Sequence, residues 1–335
     1  MKRLKTAVKI IVLVLLGGAI CFLLFYAEKT AGVDTGYSYE SAGKTVYKKS
    51  VDIRSNRIEY GGERYKYNDH LSNYIFMGID KRELEETQKG AADAGQSDAL
   101  FLVSMDRMTG RTTLISIPRD TMTMIVAYTT AQNPMLLYDH LSIQYGYGDG
   151  RHGSCNLTRD AVSSLMYSLP IQGYCAVSLD ALAVMADALG GIEVTIPNDS
   201  LAFRDSDFTA GTTVTLDSEN TEFFLRVRDT ETENSALYRL ERQQIFLDAL
   251  LARVRELYEE DENSVFELYE VLQPYVVSNI ESTTYINLMR GMTERDDFLR
   301  WTVPGEGVAT DTYDEYHVDE DALLSKLLKT MCVKY

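Results

Sequence analysis

The stretch DALFLVSMDRMTGRTTLISIPRD, residues 98–120, decides the fold. It holds two apolar runs, DALFLVSMD and TTLISIP, joined by the turn signal RMTGR. Short apolar runs bounded by turn residues read as buried strands, and so close a connection makes them an antiparallel hairpin. Upstream, NYIFMGID (73–80) reads as another buried strand, ending at Asp80. If it also pairs antiparallel with the run from Asp98, three strand ends share one sheet edge. Asp80, Asp98 and Arg119, with Asp120 beside it, then converge there.

Further along the chain helix alternates with strand. A glycine-rich segment, QYGYGDGRHGSCN (144–156), precedes the helix signal LTRDAVSSLMYSL. It matches no phosphate-loop spacing and reads as a plain loop. SLDALAVMADAL (178–189) reads as an amphipathic helix, Gly190-Gly191 as its stop and IEVTIP as a strand. This alternation predicts an α/β layered fold. Before the core, RIEYGGERYKYN (57–68) alternates about Gly61-Gly62 as a short hairpin. After residue 256 come helical segments, the strand-like FLRWTVPG and a final helix near Asp319 to Met331.

The N-terminus predicts the compartment. Lys2, Arg3, Lys5 and Lys9 precede eighteen uncharged, mostly apolar residues, 10–27, and the next charge is Glu28. That length crosses a bilayer core, and its bulky end, CFLLFYAEK, lacks a small-residue cleavage site. The expectation is an uncleaved single-pass anchor at the cell membrane, with the N-terminus cytoplasmic and the body extracytoplasmic. Beyond residue 30 the chain has 28 Lys+Arg against 49 Asp+Glu, a balance that excludes a generic nucleic-acid surface. Cys155, Cys175 and Cys332 fit neither a disulfide scaffold nor a zinc site; a Cys155–Cys175 bridge and free thiols both remain open.

In so acidic a chain, FLRVRDTETENSALYRLERQQIF (224–246) gathers Arg226, Arg228, Arg239 and Arg242 within seventeen residues. From Ser235, a good N-cap, helical periodicity puts Arg239, Arg242, Gln243, Phe246 and Leu250 on one face. Arg226 and Arg228, two apart on an expected strand, share a side. Cations in a helix's first turn oppose its dipole, which an anionic partner would resolve with bidentate guanidinium bonds. Surface salt bridges to Asp229, Glu231, Glu233 and Glu241 are the competing reading. Asp80 and Asp98 are either ordinary strand-end residues or a Mg²⁺ pair, since Mg²⁺ takes one or two carboxylates plus substrate phosphate oxygens. Carboxylates, metal and arginines together are the equipment of phosphoryl transfer.

The anchor, IFMGIDKR, GQSDAL, LISIPRDT, ALGGIEVTIP, FLRVR and RLERQQ, in this order, resemble the LytR-CpsA-Psr family of cell-envelope proteins. The resemblance implies an α/β/α sandwich with a mixed, largely antiparallel central sheet. Its boundaries would be a tail and anchor at 1–30, a stalk with a short hairpin at 31–67, a catalytic core at 68–255 and a helical extension packed on it at 256–335. It also implies transfer of a glycopolymer, of teichoic acid or capsular polysaccharide type, from a polyprenyl pyrophosphate carrier to peptidoglycan through a phosphodiester bond. Carried residue by residue, Asp80 and Asp98 become the Mg²⁺ pair, and Arg82, Arg119, Arg226, Arg228, Arg239, Arg242 and Gln243 the pyrophosphate grip. Asp98, Arg119 and Arg239 become catalytic, with Asp98 the base. Phe246 and Leu250 line the lipid pocket, or are plain core. The rival implication is a non-catalytic polyprenyl-phosphate-binding regulator or scaffold. Gln96 and Ala236 depart from the family pattern, which usually has Arg and often Asp there.

Overall fold

A computed structural model describes residues 51–335 except 56, 130–131, 179, 228–237, 239–240, 243–244, 247, 251, 254–255, 257–270, 282, 285–286, 289–298 and 310–313. The expected anchor, most of the stalk, Arg228, Ser235, Arg239 and Gln243 lie outside the described residues. Among the described residues no helix is long and apolar enough to cross a membrane.

The hairpin β1 (Ile58–Tyr60) and β2 (Glu63–Tyr67) turns on Gly61 and Gly62, both at positive φ. The central strands follow: β3 (Leu71–Ile79), β4 (Ser97–Asp106) and β5 (Thr112–Ile117), with β4 antiparallel to both β3 and β5, as expected. A second hairpin, β6 (Met122–Tyr128) and β7 (Pro134–His140), and a 3-10 turn at Leu141–Tyr147 lead into helix α1 (His152–Leu165). Next come β8 (Gly173–Ser178), α2 (Ala181–Ala188), β9 (Ile192–Thr195), β10 (Thr213–Leu216) and the short α3 (Thr221–Arg226). The last part holds β11 (Val276–Ser278), β12 (Leu299–Thr302), β13 (Gly305–Ala309), β14 (Asp314–Val318), α4 (Glu320–Met331) and β15 (Cys332–Lys334).

The central sheet has the order β11-β8-β3-β4-β5-β12. It is mixed: β3 runs parallel to β8 and β5 to β12, and the remaining pairs are antiparallel. Strand periodicity sends Ile75, Met77, Ile79, Leu102 and Ile115 to one face, where they meet Cys155, Val162 and Leu165 of α1 and Leu323 and Leu327 of α4. Phe76, Phe101, Val103 and Cys175 point to the other face, against Ala181, Ile280 and Leu288. A third cluster joins Met185 of α2, Ile192, Leu216, Phe224, Phe246 and Leu250.

Three boundaries differ from the sequence reading. Residues 51–67 are not a free stalk: Ile53 and Ile58 are buried in the core, and β15 adds a third strand to the hairpin. The segment after 255 is not a helical appendage, since β11 and β12 form both outer strands of the central sheet. TEFFLR is helical rather than a strand, because Asp217 and Asn220 exchange side chain to backbone bonds that turn the chain, and Glu222 and Arg226 pair one turn apart at 2.5 Å. Cys155, Cys175 and Cys332 form no disulfide; the first two are buried and Cys332 is half-buried.

The glycine-rich segment is closed by its own carboxylate. Asp149 accepts from the N–H groups of Arg151, Gly153 and Ser154, at 2.9, 3.0 and 3.0 Å, and so covers the start of α1. These bonds overcome partial burial and hold its carboxyl below the ordinary value.

Candidate functional site at the sheet edge

The parallel β3/β8 and β5/β12 pairs point four carboxyl ends to one edge of the sheet, and antiparallel β4 brings its first residues there. The register pairs Ile79 with Ser97 and Leu100 with Ile117, so Asp80, Asp98 and Arg119 gather at that edge, as expected. Asp80 is fixed by main chain: its Oδ1 accepts from the Gln96 N–H at 2.5 Å and its own N–H donates to Gln96 O at 3.0 Å. The departure at Gln96 leaves this backbone contact intact. Gly95 permits the approach, at φ +94° and with an added Cβ falling 2.8 Å from Asp80 Oδ1.

Arg119 donates from Nη1 to Asp98 Oδ1 at 2.6 Å and from Nε to Asp120 Oδ1 at 3.2 Å. Yet the Asp98 carboxyl lies above its ordinary value. Partial burial is the largest cause; Arg119 and Arg226 oppose it, while Asp80 and Asp120 add to it. A 2.6 Å ion pair would usually depress a carboxylate, so desolvation and two neighbouring acids together outweigh it here. The geometry brings both kinds of group together: acids crowded enough to raise Asp98, and guanidinium groups facing it.

Beside this pair lies a second, alternating cluster. Asp180, just past β8, approaches Arg82 Nε at 3.9 Å. Burial and then Glu222 push the Asp180 carboxyl up, against Arg82 and Arg226. Tyr275 donates to Glu83 Oε1 at 3.1 Å on the same side. Arg82 is 94% exposed and available to a ligand. Asp180 was not read from the sequence as a site residue. Its signal was a carboxylate two residues after the buried run GYCAVS, one position further from its strand end than Asp80.

Arg242 departs from the expected position on an anion-binding face. It is fully buried, and its guanidinium donates to Phe224 O at 2.8 Å, to Ser200 Oγ and to Val227 O. It ties the helical residues around it to the end of α3. Phe246 and Leu250 are buried beside it in the cluster that includes Phe224 and Met185. Among the described residues no group of three or more His, Cys, Asp or Glu side chains is arranged to hold a metal ion. The donor set of Asp80 and Asp98 nevertheless suits a hard cation that needs only one or two carboxylates, because Asp80 raises the cost of charge on Asp98.

A sequence model of the LytR_cpsA_psr family matches residues 29–331. A relative from Bacillus licheniformis named polyisoprenyl-teichoic acid--peptidoglycan teichoic acid transferase TagU is 22% identical, covering 86% of this chain and 85% of that one. Biofilm regulatory protein A of Streptococcus mutans is 25% identical over 71% of this chain and 57% of its own length. The crystal structure of B. subtilis TagU superposes with a TM-score of 0.49 at 20% identity, covering 78% of this chain and 95% of that one.

Proposed function

Because the chain belongs to the LytR-CpsA-Psr family, we propose that it is a phosphotransferase that moves an anionic glycopolymer from a polyprenyl pyrophosphate carrier to peptidoglycan. The convergence of Asp80, Asp98, Arg119 and Arg226 at one sheet edge carries this reading, since pyrophosphate needs cations and an attacking hydroxyl needs a base. The transferase names of relatives such as the B. licheniformis protein agree with it. Residues 10–27 anchor the body outside the membrane, beside a lipid-borne substrate.

In this reading Arg82, Arg119 and Arg226 grip the pyrophosphate, with Arg228, Arg239 and Gln243 completing the receptor. Arg119 and Arg226 are each engaged by an acid, at 2.6 and 2.5 Å, so the substrate exchanges those carboxylates for its own oxygens. An acceptor hydroxyl attacks the sugar-bearing phosphorus, forming a P–O bond while the anhydride bond to the lipid phosphate breaks. The hydroxyl proton passes to Asp98, whose affinity for it is raised above that of an ordinary aspartate by burial and by Asp80. Polyprenyl phosphate leaves with the electron pair of the broken bond. Asp80 and Asp98 would hold Mg²⁺, which when bound supplies neutralising charge to the phosphate oxygens. Arg242 supports this site from behind by fixing the end of α3.

The test is to incubate the full chain, in detergent, with a polyprenyl-pyrophosphate oligosaccharide, peptidoglycan fragments and Mg²⁺, and to measure phosphodiester-linked product. Product from the wild type that is lost in Asp98→Asn and Arg119→Ala supports transfer. Lipid binding with no product across several donors and acceptors favours a binding regulator, the reading that the name of the S. mutans relative supports.

A further inference from the structure

Asp180 stands between β8 and α2, where an aspartate commonly caps a helix, yet its side chain makes no bond to the first N–H groups of α2. Its backbone is already helical, at φ −80° and ψ −11°, and not in the extended conformation from which a carboxylate turns back onto its own helix. The carboxylate lies instead 3.9 Å from Arg82 Nε, and Arg226 also opposes the rise in its proton affinity. Arg82 and Arg226 are 94 and 58% exposed, so both guanidinium groups face solvent beside it. Around Arg82 the main chain is tied down. The Leu84 N–H donates to Pro274 O at 2.8 Å, Arg151 Nη1 donates to Leu84 O at 2.6 Å, and Tyr275 donates to Glu83 Oε1 at 3.1 Å. Arg82 therefore has a fixed base and an exposed guanidinium whose ion-pair partner is Asp180.

Arg226 stands among three acids. Glu222 holds its Nη1 at 2.5 Å, and Arg226 acts on the carboxyls of both Asp98 and Asp180. In the sheet Ile79 pairs with Ser178 on one side and with Ser97 on the other, so the ends of β8 and β4 flank that of β3, roughly 10 Å apart. We propose that Asp180 is a positioning residue of the pyrophosphate receptor, which draws Arg82 and Arg226 towards the end of β8, keeps Arg226 from closing on Asp98 and turns both guanidinium groups to one anion. It acts through the arginines and touches no reacting atom. An exposed arginine samples many rotamers, and a carboxylate held beside it narrows them before the ligand arrives, so less freedom is lost on binding. An ion pair so exposed is weak, which suits the role, because phosphate oxygens have to take the guanidinium groups over.

This inference rests on the pyrophosphate reading above, and one experiment separates the two. Plain electrostatics and positioning predict opposite signs: removing a carboxylate beside an anion site tightens anion binding, whereas removing a positioning group weakens it. The full chain, in detergent, is titrated by calorimetry with geranylgeranyl pyrophosphate as wild type, Asp180→Asn and Asp180→Glu. Asp180→Asn is measured again in Arg82→Gln and in Arg226→Gln. The expected result is an affinity lowered about three- to tenfold by Asp180→Asn and partly restored by Asp180→Glu, with the loss smaller in at least one arginine background. The denaturation midpoint should stay where it is, since Asn suits a helix start as well as Asp does. Unchanged or tighter binding by Asp180→Asn overturns the positioning role and leaves the pyrophosphate reading standing. A loss undiminished in both arginine backgrounds, or one that follows a fall in the denaturation midpoint, means a merely structural residue and also overturns it. No binding by the wild type overturns the pyrophosphate reading and this proposal with it.

Discussion

Arg119 and Asp98 are joined at 2.6 Å across the β4–β5 pair, yet the Asp98 carboxyl still holds its proton more tightly than an ordinary aspartate. Because the folded-state affinity is raised, the folded protein binds more protons than the unfolded chain between the ordinary and the raised value. Stability therefore falls as pH rises through that window. Carbon-13 titration of the Asp98 carboxyl should give a midpoint above that of a model peptide. Arg119→Gln should move it higher, and Asp80→Asn should move it lower. At neutral pH Asp98→Asn should resist denaturant at least as well as the wild type while losing transfer, the signature of a residue kept for chemistry at the expense of stability.

Arg242 is predicted to matter for stability first. Its removal strands Phe224 O, Val227 O and Ser200 Oγ in a buried setting, so Arg242→Ala should cost about 2–4 kcal/mol in denaturant titration. Arg242→Lys should recover little, because one ammonium group cannot span three acceptors as the planar fork does.

Gly95→Ala tests how Asp80 is placed. The added methyl would meet Asp80 Oδ1 and Lys81 Cγ at 2.8 and 2.7 Å and would strain a backbone at φ +94°. The expected outcome is a loss of roughly 1–3 kcal/mol in stability and a larger proportional loss of transfer rate than of substrate affinity.

Asp149→Ala should uncap α1 and lower stability by roughly 1–2 kcal/mol, read as a fall in the denaturation midpoint. The carboxyl is held below its ordinary value, so its contribution is present above the unfolded value. It is lost as pH falls through the folded one, and the difference between variant and wild type should shrink in acid.

The sheet edge was legible because buried strands announce themselves as continuous apolar runs, and their polar end residues are then easy to align. Asp80, Asp98 and Arg119 came from that alone. What failed was local and ambiguous. Arg226 and Arg228, with an apolar residue between them, mimic strand alternation, while the Asp217–Asn220 turn that starts a helix lies outside the arginine motif. Helix α1 begins inside a glycine-rich stretch because Asp149 supplies the missing cap from outside the helix. β11 has only three residues, too short for periodicity; β12 lies in the strand-like FLRWTVPG, but the places of both depend on partners about a hundred or more residues away. The burial of Arg242 has no sequence signature, since the carbonyls that receive it belong to another element.

The pairing of β15 with β2 stitches residues 332–334 to the hairpin that precedes the first central strand, with Cys332 opposite Tyr67 and Lys334 opposite Tyr65. A fold closed in this way has no stable partial version that could form while the polypeptide is still emerging. The hairpin waits for its third strand, and β5 waits for β12, until partners far along the chain have been made. Completion is then a late, all-at-once event governed by encounters between distant segments, which is slow compared with local helix formation. Without β15 the hairpin edge would be open to pairing with a neighbouring molecule.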